Sequence, residues 1–224
     1  MLAAIVDGEA VPGAVRGEID ASWRRSSAFG LDPDRFDVPF DADLDGETAL
    51  GRAAGPVLDQ LLVDTGDAGV AFVLTDPAGH VLGRRVADGR LNAQLDEVLL
   101  APGFVYAEDA VGTNGIGTAL AERRPTVVAG GEHFAGSLTT FACAAAPVFD
   151  PTTRRLVGAV DLTCLAPNAS SLMLPFARRA AQEIEQRLVD AAGLADRFVL
   201  QHYLEQRKRI KGPYVVVTER RMLP

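Results

Sequence analysis

Lysine is nearly missing: Lys208 and Lys211, both close to the C-terminus, are the only two in 224 residues. The remaining basic groups are arginines, and 30 Asp and Glu outnumber 22 Lys and Arg for a net charge of −8. Six basic groups (Arg207, Lys208, Arg209, Lys211, Arg220, Arg221) oppose Glu205 and Glu219 within residues 205–224, so that end carries +4 and the rest of the chain −12. An acidic body offers no electrostatic footprint for nucleic acid, and the basic end reads as a solvated helix terminus. Long apolar runs are also missing. Nothing approaches the ~18 to 20 residues of a membrane span, and no basic segment leads into a secretory apolar core. Cysteine is scarce: Cys143 and Cys164 sit in apolar surroundings, the habit of reduced, buried thiols. The chain therefore reads as cytoplasmic. Neither cysteine has a C-x-x-C partner or a histidine pair nearby, which argues against zinc. Of three histidines, His80 opens a hairpin strand and His202 lies on a C-terminal helix. His133, in "GGEHF", is left as the pocket histidine, lining a site or making a structural hydrogen bond.

What is present is a periodic, mixed pattern. Residues 13–30 look helical and 31–46 read as an Asp- and Pro-rich irregular linker. A second helix is expected over 48–64, with Leu50, Val57, Leu58, Leu61 and Leu62 as its apolar stripe. "GVAFVLTD" (69–76) and "HVLGRRV" (80–86) form a hairpin around "PAG". Helices follow at 90–99 and 116–123, then an edge strand at 125–130 with Pro at its start. Strands at 141–150 and 154–163 are joined through "PTT". Residues 168–210 carry a long helical pattern in which Ala177, Ile184, Ala191 and Phe198 recur every seven residues, as do Ala181, Leu188 and Ala195. That spacing is a heptad seam, weakened by Gly193. Helices at both ends enclosing antiparallel strands give an α+β class. The closing "VVVTERRMLP" reads as the opening strand of a following region.

The most distinctive stretch is "EDAVGTNGIGTALAERRP" (108–125). Its order, Gly112-x-x-Gly115-x-Gly117, is not the G-x-G-x-x-G of dinucleotide folds, and no P-loop lysine follows. Backbone geometry explains it better: Asn114 suits an N-cap, and Gly112 and Gly115 permit a positive φ or a close approach. A loop poor in side chains, entering a helix over a sheet, leaves room for a small molecule.

"YAEDAVGTNGIGTALAERRPTVVAGGEHF" followed by "CAAAPVFDPTTRRLVGAVDLT" resembles the GAF domain of bacterial transcriptional regulators of the acetoin-operon activator type. "SWRRSSAFGLDPD" resembles the helix and turn that precede it. The likeness runs from about residue 20 to 220. It implies an α+β, GAF-like central antiparallel sheet with flanking helices, an N-terminal helical extension and a long C-terminal linker helix. The implied divisions are 1–46 for the extension, 47–190 for the sensor and 191–224 for a signalling helix leading onward. The implied role is sensing a small cytoplasmic effector and passing the signal to an output module not found here, which alone would reach DNA. The chain is expected to be a homodimer through its C-terminal helix, with no cofactor and no membrane.

Strand alternation proposes a lining. Phe141, Cys143, Ala145 and Pro147 share one face, while Ala142, Ala144 and Ala146 share the other and suit close helix packing. Asp161, between Val160 and Leu162, is an odd place for a charge unless it faces a polar cavity. The candidate ligand-binding set is Phe104, Tyr106, Asn114, Thr118, His133, Phe134, Phe141, Cys143 and Asp161. Ser137, His133 and Asp161 could be imagined as a hydrolytic set, but no G-x-S-x-G elbow supports it. Two other readings stand beside the sensor. One is a GAF-type thiol oxidoreductase, disfavoured because both cysteines lie inside apolar strands. The other is a dimerisation module without ligand, which a filled pocket would favour.

Overall fold

A computed structural model describes residues 15–44, 46–191, 200–205, 216–217 and 222–223. Five strands form one antiparallel sheet: β1 (Val70–Thr75), β2 (Val81–Val86), β3 (Thr126–Ala129), β4 (Phe141–Phe149) and β5 (Leu156–Leu165), in the order β2-β1-β5-β4-β3. The longest strand, β5, is central, and β3, the one introduced by a proline, lies on the edge. A Cβ on Gly158 would sit 2.0 Å from the Thr75 carbonyl oxygen, so only glycine lets β5 approach β1 there.

The two faces differ because side chains alternate along each strand. Ala142, Ala144, Ala146, Val160, Leu162 and Cys164 point to one side, with Phe72 and Leu74. Two helices cover that side, α2 (Ala49–Thr65) and the long C-terminal α6 (Met173–Ala191). The alanines of β4 meet Ala177, Ala180 and Ala181 of α6, small against small, which lets helix and sheet come close. Thr48 caps α2 by accepting from the Gly51 amide at 3.0 Å. The opposite face carries Ala71, Val73, Phe141 and Ala159 under α3 (Gly89–Glu97), the four-residue α4 (Glu108–Val111) and α5 (Gly115–Glu122). The N-terminal α1 (Gly17–Ala28) packs outside α4 and α5, with Ile19, Ser22 and Ser26 buried.

Two expectations need revising. Ala177, Ala181 and Ile184 are buried against the chain's own sheet and Leu188 packs at its margin, so the first turns of the expected seam belong to the core. A stripe that covers a sheet cannot also face a partner. Ala195, Phe198 and Gly193 lie outside the described residues, as do the basic groups from Arg207 to Arg221. Helix resumes at 200–205, where Leu200 and Tyr203 pack with Val189. At 1.5 Å per residue, positions 189 and 200 on one straight helix would stand about 16 Å apart. The described helix 200–205 therefore packs beside the end of α6, and the stretch that joins them lies outside the described residues. The second revision concerns 31–46, which is irregular but closely held. Val105 donates to the Pro39 carbonyl and Asp41 to the Gly103 carbonyl, each at 2.9 Å, and the Phe40 and Phe104 rings lie 4.8 Å apart.

Candidate functional site: a cavity beneath the glycine loop

The loop that enters α5 is shaped by its glycines and held by one side chain. Gly112 has φ +74°, the left-handed region that disfavours other residues. Asn114 caps α5: its Oδ1 accepts from the Gly117 amide at 2.9 Å, and its Nδ2 donates to the carbonyls of Tyr106 (3.1 Å) and Gly112 (2.8 Å). This buried amide thus ties the strand-like 103–106 segment, the loop and the helix together. Gly115 then lies directly over the sheet. A Cβ there would stand 2.5 Å from Cys143 Cβ and 2.9 Å from Asp161 Oδ1.

Below it is a small cavity lined by Leu95, Val98, Leu100, Tyr106, Asn114, Ile116, His133, Leu138, Phe141, Cys143, Asp161 and Thr163. The space open to a solvent centre is about 10 Å³, room for one water. Six of the nine sequence candidates meet here: Tyr106, Asn114, His133, Phe141, Cys143 and Asp161. Three do not. Phe104 turns outward onto Phe40. Phe134 covers the outside of the loop, where a Cβ on Gly112 would approach its ring to 2.6 Å. Thr118 faces α1, with its hydroxyl 3.2 Å from Ser22 Oγ. Thr163, absent from the candidates, was within reach of the strand rule, since it lies two residues from Asp161 on the same face.

Asp161 dominates the electrostatics. It is fully buried; Thr163 Oγ1 donates to its Oδ2 at 2.5 Å, and its Oδ1 has no protein partner. Burial pushes its pKa up to about 7, against the Thr163 hydrogen bond that pulls it down. Burial likewise raises both thiols, Cys164 to about 11, so neither is a poised thiolate. Tyr106, raised by burial, donates its hydroxyl to the Val98 carbonyl. His133 Nδ1 lies 3.1 Å from the Gly130 carbonyl, and burial lowers its pKa to about 4. A carbonyl only accepts, so the ring is neutral with its proton on Nδ1. Long-range nitrogen–proton NMR correlations are expected to show that tautomer for His133, with no titration above pH 5. A midpoint near 6.5 would contradict its burial. Among the described residues no group of three or more His, Cys, Asp or Glu could hold a metal ion.

Behind the loop runs a second buried polar cluster that no sequence pattern signalled. Ser22 Oγ donates to Glu108 Oε2 at 2.7 Å and lies 2.7 Å from Thr113 Oγ1. Arg25 pairs with Glu108 and with Glu122 (2.7 Å), and these partners raise its pKa. Next to Ser22 on α1, Trp23 Nε1 donates to the Glu132 carbonyl at 2.8 Å, and Arg16 at the helix N-terminus holds the Glu132 carboxylate at 2.6 Å. The helix thus grips both the glycine loop and the turn that carries His133.

Comparison with known proteins supplies the family. Residues 3–186 match the family described as MimR, N-terminal domain. The chain belongs to this family. It is 41% identical over 210 residues to the propane 2-monooxygenase operon transcriptional activator MimR of Mycolicibacterium smegmatis, covering 94% of this chain and 36% of that protein. Similarity to the acetoin dehydrogenase operon transcriptional activator AcoR of Bacillus subtilis is 28% over 193 residues, covering 82% of this chain and 31% of that one. The chain thus spans about a third of the length of these relatives. In three dimensions it is similar to the E. coli DhaR(N)–DhaL complex structure, with a TM-score of 0.75 at 21% identity, covering 87% of this chain and 67% of that one. That likeness concerns the fold alone, and the GAF-like antiparallel sheet expected from the sequence is the fold of this MimR N-terminal domain.

Proposed function

We propose that this MimR N-terminal domain is the effector-sensing region of a cytoplasmic bacterial transcriptional activator and is not itself an enzyme. Residues 47–190 form the sensing unit, 1–46 a clamp on it, and 191–224 the path towards an output region that contacts DNA outside this chain. The observation that carries this reading is the unpaired, fully buried Asp161 Oδ1 aimed into a cavity under a glycine-rich loop. Unmatched buried polar groups are rare in native proteins and concentrate where function requires them. Two raised, buried thiols support a binding role over redox chemistry. No helix among the described residues is long and apolar enough to cross a membrane. The relatives named as operon activators support the regulatory role.

Native mass spectrometry tests the sensor reading. The native chain is expected to retain a small molecule, and Leu138→Phe, a smaller intrusion on the cavity, is expected to lose it, with circular dichroism of both samples checking that the fold survives. A second reading is favoured by the narrow room in the cavity: a dimerisation module that binds nothing. Bare chain in both samples would support that alternative.

Dimerisation belongs to either reading. Ala177 and Ile184 are buried at home, so a second copy would meet exposed apolar side chains elsewhere, of which Val63 on α2, Phe176 on α6 and Leu172 just before α6 are 75%, 41% and 61% exposed. Exposed apolar side chains of this size on and beside two adjacent helices suit a homodimer. Sedimentation velocity is expected to give a dimer at micromolar concentration and a monomer for Phe176→Glu. A monomeric native chain would remove the homodimer from the proposal.

A further inference from the structure

Every side chain that lines the cavity is buried, so nothing enters or leaves unless part of the wall moves. Most of the wall belongs to the apolar core on that face of the sheet, and Cys143, Asp161 and Thr163 stand on β4 and β5. Moving those parts exposes hydrocarbon or breaks strand pairing. Asn114 and His133 belong to neither. Each follows directly on a residue that α1 holds from outside. Ser22 Oγ and Ser26 Oγ lie 2.7 and 3.3 Å from Thr113 Oγ1, and Trp23 is bonded to the Glu132 carbonyl. The Phe134 amide donates to the Thr113 carbonyl at 3.0 Å. Thus α1, the glycine loop and the 132–134 turn close one hydrogen-bonded ring, and that ring carries both wall residues.

The seat of α1 is polar almost throughout. Ile19 is the one apolar side chain that the helix buries, and neither apolar core of the domain includes an α1 residue among those described. Hydroxyls and guanidiniums do the rest. Arg16 meets both carboxylate oxygens of Glu132, at 2.9 and 2.6 Å, and the Val127 carbonyl at 2.6 Å. Water can replace each of these partners, so α1 can leave its seat at far lower cost than any piece of the core. Glu108 makes the loop follow. Its buried carboxylate is satisfied by Ser22 and Arg25, both on α1, and without them it must reach water. It stands in α4, immediately before the glycine loop.

We propose that α1 is a releasable strap over the cavity. Seated, it holds the wall shut around room for one water. Lifted, it lets the segments bearing Asn114 and His133 part and opens a way in. The swing is about Gly30, which has φ +76°. The segment beyond stays behind, fixed by its backbone bonds at Pro39 and Asp41 and by the Gly136 amide donating to the Pro33 carbonyl at 2.9 Å. This rests on the sensor-pocket reading above and adds that entry and exit run at the pace of the strap.

The chain carries its own reporters. Cys143 lines the cavity, whereas Cys164 faces the helix-covered side, with its Sγ 3.6 Å from Met173 Sδ. The test adds methyl methanethiosulfonate to the full chain at fixed pH. A thiolate takes its methylthio group as a mixed disulfide and methanesulfinate leaves. Peptide mass spectrometry follows each cysteine, with reagent dilute enough that the rate tracks the open population. Arg25→Gln, which removes the pairs to Glu108 and Glu122, is expected to speed labelling of Cys143 about tenfold or more and to leave Cys164 unchanged. Arg16→Gln is expected to do the same from the other latch. Arg24→Gln makes the same charge change on the same helix, but Arg24 pairs with Asp20 within α1, so neither rate is expected to move. Cys143 labelling unchanged in Arg25→Gln or Arg16→Gln overturns the strap. Equal acceleration of both cysteines, or the same acceleration in Arg24→Gln, does so too. The sensor reading stands or falls separately. Unchanged labelling in a chain that retains a small molecule removes the strap alone, and the expected labelling in a chain that retains nothing removes the sensor alone.

Discussion

Asp161→Asn is expected to make the protein more stable, by about 4 kcal/mol at pH 8 and by very little at pH 4. The native carboxyl holds its proton until about pH 7, whereas its reference value is 3.8. Between those values the unfolded chain gives up a proton that the folded chain keeps. Native stability from this group is therefore whole below pH 3.8, declines as pH rises, and reaches its lowest level above pH 7. Asparagine preserves shape and the Thr163 bond but cannot ionise, so the penalty disappears at high pH only. Urea unfolding of both proteins across this range measures the effect. A stability difference independent of pH would mean that the carboxyl is not the source. A residue that weakens the fold at working pH is one retained for another purpose.

The second large effect is a loss. Gly117→Ala is expected to cost about 3 kcal/mol, near the upper end for overpacking, which lowers the melting temperature by about 6–12 °C for a domain of this size. The added methyl carbon would lie 2.5 Å from the Glu108 backbone nitrogen and 2.8 Å from both the Tyr106 carbonyl oxygen and Asn114 Nδ2. Two of those three contacts are backbone, and the third is the cap that anchors the loop, so nothing can step aside cheaply. Gly131→Ala is the control, because no atom lies within 4 Å of its added carbon. A drop in melting temperature there as large as for Gly117→Ala would mean that the loss does not come from these contacts, since glycine entropy alone makes Gly→Ala stabilising.

The sheet, its edge strand, the hairpin and the Asn114 cap were legible in the sequence because each is local. Alternation along residues 141–147 separates a helix-packing face from a cavity face, and Asp161 betrays itself as a charge flanked by Val160 and Leu162. Thr118 and Phe134 were misplaced for the opposite reason. They are neighbours of the loop along the chain, but the turn at Gly112 and the presence of α1 direct them elsewhere. Ser22, Arg25 and Glu108 were invisible as a unit, since more than 80 residues separate the helix from its partner and no periodicity links them. The four-residue α4 is too short to leave a pattern. The heptad spacing of α6 was real, yet period alone does not say whether a stripe meets a sheet or a second helix.

Trp23 is the chain's sole indole, and it is bonded to the Glu132 carbonyl beside the turn that bears His133. The protein consequently carries its own optical gauge. Any swelling of the compartment that shifts this turn must stretch or break a bond to the only strongly fluorescent side chain, so the emission colour follows the wall without an attached dye.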